Sequence, residues 1–217
     1  MVGWAEVAPA TYNIYLPSAS HNQQALSLYN PSDQDVAIRA QIRDKKMDMD
    51  SKDDTSMLLS PHKENIRLGS QRVVVPAHAS AAVEVSYQGN PLATGEEYSL
   101  EIMPLMTRAL SRSSLTILTT QKVNVHILPE TIHPGMSVQY KEGHAILRNT
   151  GNISIWVQSL QACNQEHDCA PVSIGSQVRF FPGSWLDLGA MQPAAGFILE
   201  QVWGSGAGKE ETQTIHL

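Results

Sequence analysis

The sequence predicts an all-β protein of two sandwich-like domains, and three observations carry that prediction. Helical periodicity is almost absent, short alternating segments of valine, isoleucine, leucine and tyrosine recur between polar turns holding glycine or proline, and a second, smaller set of strands follows a proline-bounded break. At 217 residues the chain has the length for two domains, each burying its own core. A hydrophobic content of 42% with 17% charged residues excludes disordered, collagen-like and coiled-coil classes. The net charge is -6 with both signs interspersed, so no basic surface tracks a phosphate backbone and nucleic acid is not an expected partner. No apolar run reaches the ~18 to 20 residues that span a bilayer, so no membrane insertion is expected. Met1-Val2-Gly3-Trp4-Ala5-Glu6 reads either as the tail of a leader, with Gly3 and Ala5 at small-residue positions, or as an ordinary flexible terminus.

Along the chain, Tyr12 to Leu16 alternates, Ser18 to Gln24 is a polar turn, and Ala25 to Tyr29 with Val36 to Ile42 reads as an antiparallel hairpin across Asn30-Pro31-Ser32-Asp33. The charge run Asp44 to Asp54 reads as a solvated loop. A calcium site of Asp48, Asp50, Asp53 and Asp54 lacks the glycine and distal glutamate of a calcium loop. Strands resume at Arg72 to Val75, Ala82 to Tyr87 and Tyr98 to Met103, a spacing that suits a β-sandwich. Leu115 to Leu128 is then a single strand of twice the usual length, with Leu115, Ile117, Thr119, Gln121, Val123, Val125 and Ile127 on one face, and Pro129 stops it. The domains are read as 1–129 and 130–217. Strands of the second are expected at Ser137 to Tyr140, Ala145 to Asn149, Ile153 to Leu160, Gln177 to Phe181, Gly196 to Trp203 and Thr212 to Leu217, with Asn149-Thr150-Gly151-Asn152 as a hairpin turn.

No constellation points to an enzyme. G-x-S-x-G, G-x-x-x-x-G-K-[ST] and H-E-x-x-H do not occur, and Gly204-Ser205-Gly206-Ala207-Gly208 lies between two late strands, where it reads as a turn. The histidines are scattered, and one in a strand, such as His126, reads as a surface or rim residue. No cofactor is expected. The two cysteines, Cys163 and Cys169, read first as a disulfide closing a small polar loop in an oxidising compartment, with a metal site through His167 or two free thiols as the alternatives.

Several strings together resemble periplasmic pilus chaperones of the chaperone–usher pathway, over nearly the whole chain. Arg72-Val73-Val74-Val75-Pro76-Ala77-His78-Ala79-Ser80 stands where that family has apolar residues followed by P-A-G-x-S, with His78 departing from the glycine. Tyr98 to Ile102 is similar to the strand leading to the long one, and Val123-Asn124-Val125-His126-Ile127-Leu128-Pro129 to the end of the first domain. Leu147-Arg148-Asn149-Thr150-Gly151-Asn152, followed by Cys163 and Cys169, resembles the alternate branch serving class 5 and common-pilus fimbriae.

The resemblance implies two immunoglobulin-like sandwiches set at an angle, in a non-enzymatic periplasmic protein. Its implied activity is to cap a pilus subunit by donor-strand complementation and pass it to an outer-membrane usher. Leu115, Ile117 and the smaller, polar Thr119 are then the side chains offered to the subunit, and Val123, Val125 and Ile127 belong to the core. The arginine and lysine with which many members anchor the subunit's terminal carboxylate are missing. Asn124 stands at the lysine position and Tyr12 to Leu16 holds no arginine, so Lys122, on the same face as Asn124, is the expected substitute. Arg108 and Arg112 read as loop charges. An unpaired apolar edge also carries the hazard of self-association. The rival reading is a structural or adhesive pilus component built from two sandwiches.

Overall fold

The computed structural model describes residues 3–5, 7–19, 22–47, 57–58, 61–105, 116–166, 168–174, 178–191, 193–206 and 209–216. Among these every regular element is a strand except one 3-10 turn at Lys63–Asn65. The chain divides into two compact units, Met1–Pro91 with Glu96–Ile127, and Leu92–Gly95 with Leu128–Leu217. The short Leu92–Gly95 stretch joins the second unit through hydrogen bonds: Glu130 N–H donates to Leu92 O at 2.9 Å and Gly95 N–H to Asn152 O at 2.8 Å. Each unit is an immunoglobulin-like sandwich of two sheets.

In the first unit one sheet runs Ala8–Pro9, Gln23–Tyr29, Ser80–Tyr87, Ile66–Leu68, and the other Asn13–Pro17, Gln121–Leu128, Glu96–Pro104, Val36–Asp44, Arg72–Val75. Period-two alternation sends Leu26, Leu28, Val83 and Val85 inward from one sheet, and Leu100, Ile102, Val123, Val125 and Ile127 from the other, all essentially fully buried. Burying each such side chain is worth about 1.5–3 kcal/mol. The segments expected to form a hairpin across Asn30–Asp33 belong to different sheets, so the turn is an arch over the edge of the core. The cause is Asn30, which is fully buried. Its Nδ2 donates to Val75 O at 2.9 Å and Gln34 O at 2.8 Å, while Oδ1 accepts from Ser32 N–H at 3.0 Å.

The second unit repeats the device. One sheet holds Met136–Lys141, His144–Asn149 and Trp185–Ala190. The other holds Cys169–Pro171, Ile155–Cys163, Gly196–Gly206 and Lys209–His216, with Val178–Phe180 also paired to Ile155–Cys163. Leu147, Ile155, Val157, Phe180, Leu199 and Trp203 fill the core between them. Asn149 to Asn152, expected as a hairpin turn, connects the two sheets instead. Asn149 Nδ2 donates to Ile153 O at 2.8 Å and Phe180 O at 3.1 Å, and Gly151 N–H donates to Asn149 Oδ1 at 2.9 Å. Gly151 allows this because a Cβ there would stand 2.4 Å from His133 O. The tight hairpin lies earlier, at Glu142-Gly143, where φ values of 54 and 84° give the two left-handed residues that a two-residue turn demands.

Cys169–Pro171 and Trp185–Ala190 went unrecognised as strands. The first is short and fully exposed, and the second contains Gly189 at φ 90° and pairs with His144–Asn149 through an irregular register. The register pairs Cys163 directly with Cys169, and the two form a disulfide of S–S 2.05 Å, which uses both sulfurs and removes the metal alternative. Gly204 and Gly206, expected in a turn, are the end of the Gly196–Gly206 strand, facing Glu210 and Lys209. Asp48, Asp50, Asp53, Asp54, Arg108, Arg112 and His167 lie outside the described residues. No described helix is long and apolar enough to cross a membrane.

Near the start of Glu96–Pro104, buried Glu96 accepts from Tyr98 OH and pairs with His62 Nδ1, while His62 N–H donates to Tyr98 OH at 3.1 Å. The hydrogen bond to Glu96 raises the His62 pKa above its ordinary value, against a smaller opposing effect of burial. Burial and Glu96 push the Tyr98 phenol up as well. A raised histidine contributes stability that is fully present below about pH 6.5 and lost as pH rises through its folded value. Accordingly, urea melts of wild type and His62→Gln should differ more at pH 5.5 than at pH 8.5, and a gap independent of pH contradicts the assignment. In the second unit, Asn149→Ala leaves the carbonyls of Ile153 and Phe180 without their donor, and the same melts should show a loss of about 2–3 kcal/mol.

Candidate functional site

The expected long strand is two strands. Thr116–Leu118 is followed by an interruption at Thr119 and Thr120, and Gln121–Leu128 then enters the five-stranded sheet. Thr116–Leu118 runs parallel to Gly3–Ala5, the stretch read as a leader tail or loose terminus, with Gly3 opposite Thr116, Trp4 opposite Ile117 and Ala5 opposite Leu118. Among the described residues these two strands make a ribbon of their own, outside both sandwich sheets. Leu115 lies outside the described residues, Ile117 is placed by its backbone only, and Thr119 is half-buried beyond the strand's end.

Gln121–Leu128 divides its residues by period two. Val123, Val125 and Ile127 point into the core, and Lys122, Asn124 and His126 occupy the opposite face. Lys122 is 69% exposed with Nζ 4.0 Å from Glu101 Oε1, a long, screened pair. Asn124 is half-buried and bridges Asn13 and Lys45: its Nδ2 donates to Asn13 Oδ1 at 3.1 Å, and its Oδ1 accepts from Lys45 Nζ at 2.9 Å. Lys45 Nζ also lies 3.3 Å from Glu97 Oε2, with only 26% of the lysine side chain exposed and 3% of the glutamate's. Glu97 Oε1 in turn is 3.1 Å from His126 Nδ1, and Tyr15 stacks on the imidazole at 4.6 Å between centroids.

His126 is thus buried, not a rim residue, because Glu97 is its directly opposite neighbour across the strand pair. The structure brings Asn124 into this polar cluster and leaves Lys122 outside it. Lys45 escaped the sequence reading because it sits in a charge run that looks uniformly solvated. Its packing follows from the antiparallel register of Val36–Asp44 with Glu96–Pro104, which sets Asp44 opposite Tyr98 and brings the next residue toward Glu97. A hydrophilic pair, Glu96-Glu97, opening an apolar strand was the one available hint.

No protein-family model matches the chain, and no curated protein matches it either. Solved structures do. The class 5 fimbriae chaperone CfaA superposes with a TM-score of 0.74 at 14% identity, over 96% of this chain and 98% of that one. The CupB2 chaperone of Pseudomonas aeruginosa gives 0.59 at 14% identity, over 97% and 100%. A chain of the Salmonella enterica complex of the SafA pilin with the SafB chaperone gives 0.62 at 10% identity, over 100% and 98%. The likeness is one of fold and extends over both sandwiches.

The two lysines should separate in stability measurements. Lys45→Met leaves Glu97 buried with one partner fewer and should cost about 2–3 kcal/mol in urea melts at pH 7, below the upper range for breaking a fully buried pair. Lys122→Met should fall within about 0.5 kcal/mol of wild type.

Proposed function

We propose that this chain is a periplasmic chaperone that holds a pilus subunit by donating a strand to it and delivers it to an outer-membrane usher, without enzymatic chemistry or nucleotide. The observation that carries the reading is the join of a two-sandwich fold shared with fimbrial chaperones to a strand, Thr116–Leu118, that stands outside both sandwich sheets. A subunit lacking its last strand exposes an apolar groove, and burying that surface is worth about 25 cal/mol per Å². An added strand also satisfies the groove's orphan backbone donors and acceptors. Residues 115–119 are the donated portion, with Leu115 and Ile117 seated in the groove and Thr119 filling a shallower position. The domain made of residues 1–129 carries this strand, and residues 130–217 form the second domain.

Lys45 is the basic group that receives the subunit's terminal carboxylate, in place of Lys122. It is held beside Asn124, at the position where the resemblance expects the anchoring cation, and it retains partial exposure while its partner Glu97 is buried. Asn124 and Asn13 position it through their amides. Val123, Val125 and Ile127 tie the donated segment to the core, so that binding is felt by a rigid platform.

The test is co-expression with a tagged pilus subunit encoded beside the chain's own gene. Wild type should co-purify with it. Replacing both Leu115 and Ile117 by Asp should leave a folded protein, by circular dichroism, that no longer does so. Retained capture by the folded double variant removes the strand from the mechanism.

A further inference from the structure

The Ile155–Cys163 strand reads I-W-V-Q-S-L-Q-A-C, nine residues with no charge, no proline and no glycine. A strand of that composition pairs readily with any free edge it meets, so what covers its own edge matters. On one side it is laddered to Gly196–Gly206. The other edge is covered in two pieces. Val178–Phe180 pairs with residues 155–157, and its Phe180 belongs to the core. Cys169–Pro171 pairs with residues 161–163, and all three of its residues are exposed. This second cover carries the edge-blunting features that the strand beneath it lacks. It is only three residues long, it ends in Pro171, which has no N–H to offer, and Asp168 precedes it.

The disulfide holds this cover in place. Backbone bonds stand on either side of it, from Asn164 N–H to Asp168 O at 3.0 Å and from Val172 N–H to Leu160 O at 2.8 Å. Antiparallel bonds recur at alternate pairs, so Cys163 and Cys169, 4.0 Å apart between Cα atoms, are a pair that the ladder leaves unbonded and the sulfurs join. The bridge spans a sequence separation of only 6, so it restrains the unfolded chain little and the fold of the second unit does not rest on it. We propose that Cys163–Cys169 is a redox-addressable site controlling the edge of Ile155–Cys163, and that its reduction opens this edge to the same strand of a second copy of this chain. A thiolate of a dithiol reductant attacks Sγ of the exposed Cys169. The S–S bond breaks, and the half-buried Cys163 leaves as a thiolate and takes up a proton. The reductant's second thiolate then attacks the mixed disulfide, releasing Cys169 as a second thiol and leaving the reductant oxidised by two electrons. Without its link the cover is three exposed residues, and residues 160–163 present a bare edge when it lifts. A second copy is the matching occupant, because two identical uncharged strands pair antiparallel about a two-fold axis with no like charges to oppose them.

Size-exclusion chromatography with light scattering, on the full chain before and after treatment with dithiothreitol, tests this. Reduction should free both cysteines to thiol titration, leave the far-UV β signal in place, and raise the mass toward that of a dimer as protein concentration increases. The Val172 amide should exchange with deuterium about tenfold faster or more in the reduced chain. The double variant Cys163→Ser with Cys169→Ser should associate without any reductant. Adding Gln161→Lys, a charge at an exposed position of the opened edge, should return it to the mass of the oxidised chain. Should the serine variant fail to fold, reduced wild type decides alone. A reduced chain that matches the oxidised one in mass and in Val172 exchange overturns the proposal, and faster exchange at unchanged mass overturns the second copy as occupant. Loss of the β signal on reduction also overturns it, since the bridge then supports the fold and not the edge. Association that is equal in both redox states belongs to another edge and counts against it as well.

Discussion

Everything in the first unit depends on the strict two-residue period of the Gln121–Leu128 strand. A strand in the middle of a sheet has its backbone groups committed on both sides, here to Asn13–Pro17 and Glu96–Pro104, so its side chains can do nothing except alternate between the faces. Val123, Val125 and Ile127 therefore pin the sheet to the core, and Asn124 and His126 are forced onto the opposite face. A slip of one residue would exchange the two sets, placing an amide and an imidazole among leucines and three aliphatic chains outside. The apolar face fixes the register, and the register assembles the polar cluster as its by-product. The interruption at Thr119 and Thr120 matters for the same reason. It releases Thr116–Leu118 from the sheet, so that a segment rooted in the core emerges as part of a separate ribbon with Gly3–Ala5.

The second recurrent constraint is backbone satisfaction where the chain passes from one sheet of a sandwich to the other. At such an arch the strand carbonyls have no ladder partner, and leaving them buried and bare costs free energy. Both units answer with an asparagine at the end of a strand, Asn30 and Asn149, whose amide nitrogen donates to carbonyls of distant strands while its oxygen receives a backbone N–H two residues on. Aspartate could do only the second task, because it has no N–H to give. The same geometry in both units shows one solution reached in two sequences that share little beyond the asparagine. Asn152 extends the device: its amide donates to Ala93 O and Thr131 O, so the Leu92–Gly95 stretch is bound to the unit that it joins.

Legibility follows from whether a residue's environment is local or made by register. The strands with clean alternation were readable, as at Val83, Val85 and Tyr87, because period two belongs to the segment itself, and the β-branched run Arg72–Val75 was readable to the residue from its composition. The arches were read as hairpins, since N-P-S-D and N-T-G-N are turn signals whichever sheet the next strand joins, and that choice is tertiary. The true two-residue hairpin at Glu142-Gly143 lacked an asparagine or aspartate in its first position and carried a weaker signal. Leu115 and Ile117 could be singled out only through family resemblance. Lys45 and Glu97 could not be singled out at all, because a lysine in a charge run and a glutamate at a strand's start acquire meaning only when three strands are in register.

Locating the polar cluster on the outward face of the central sheet has an energetic consequence. A hydrophobic set of similar volume would be no less stable there, since ion pairs buried this deeply return about what their desolvation takes. What the charged set adds is directionality. Lys45 is oriented by Asn124 and Glu97, Asn124 by Asn13, and Asn13 by strand pairing, so the ammonium has little conformational freedom left. Lys122, exposed and 4.0 Å from Glu101, keeps its rotamer freedom and is screened by solvent. The difference between the two lysines is therefore one of preorganisation more than of charge. The amides of Asn124 and, behind it, Asn13 thus fix in place an ammonium that the Gln121–Leu128 strand itself does not supply.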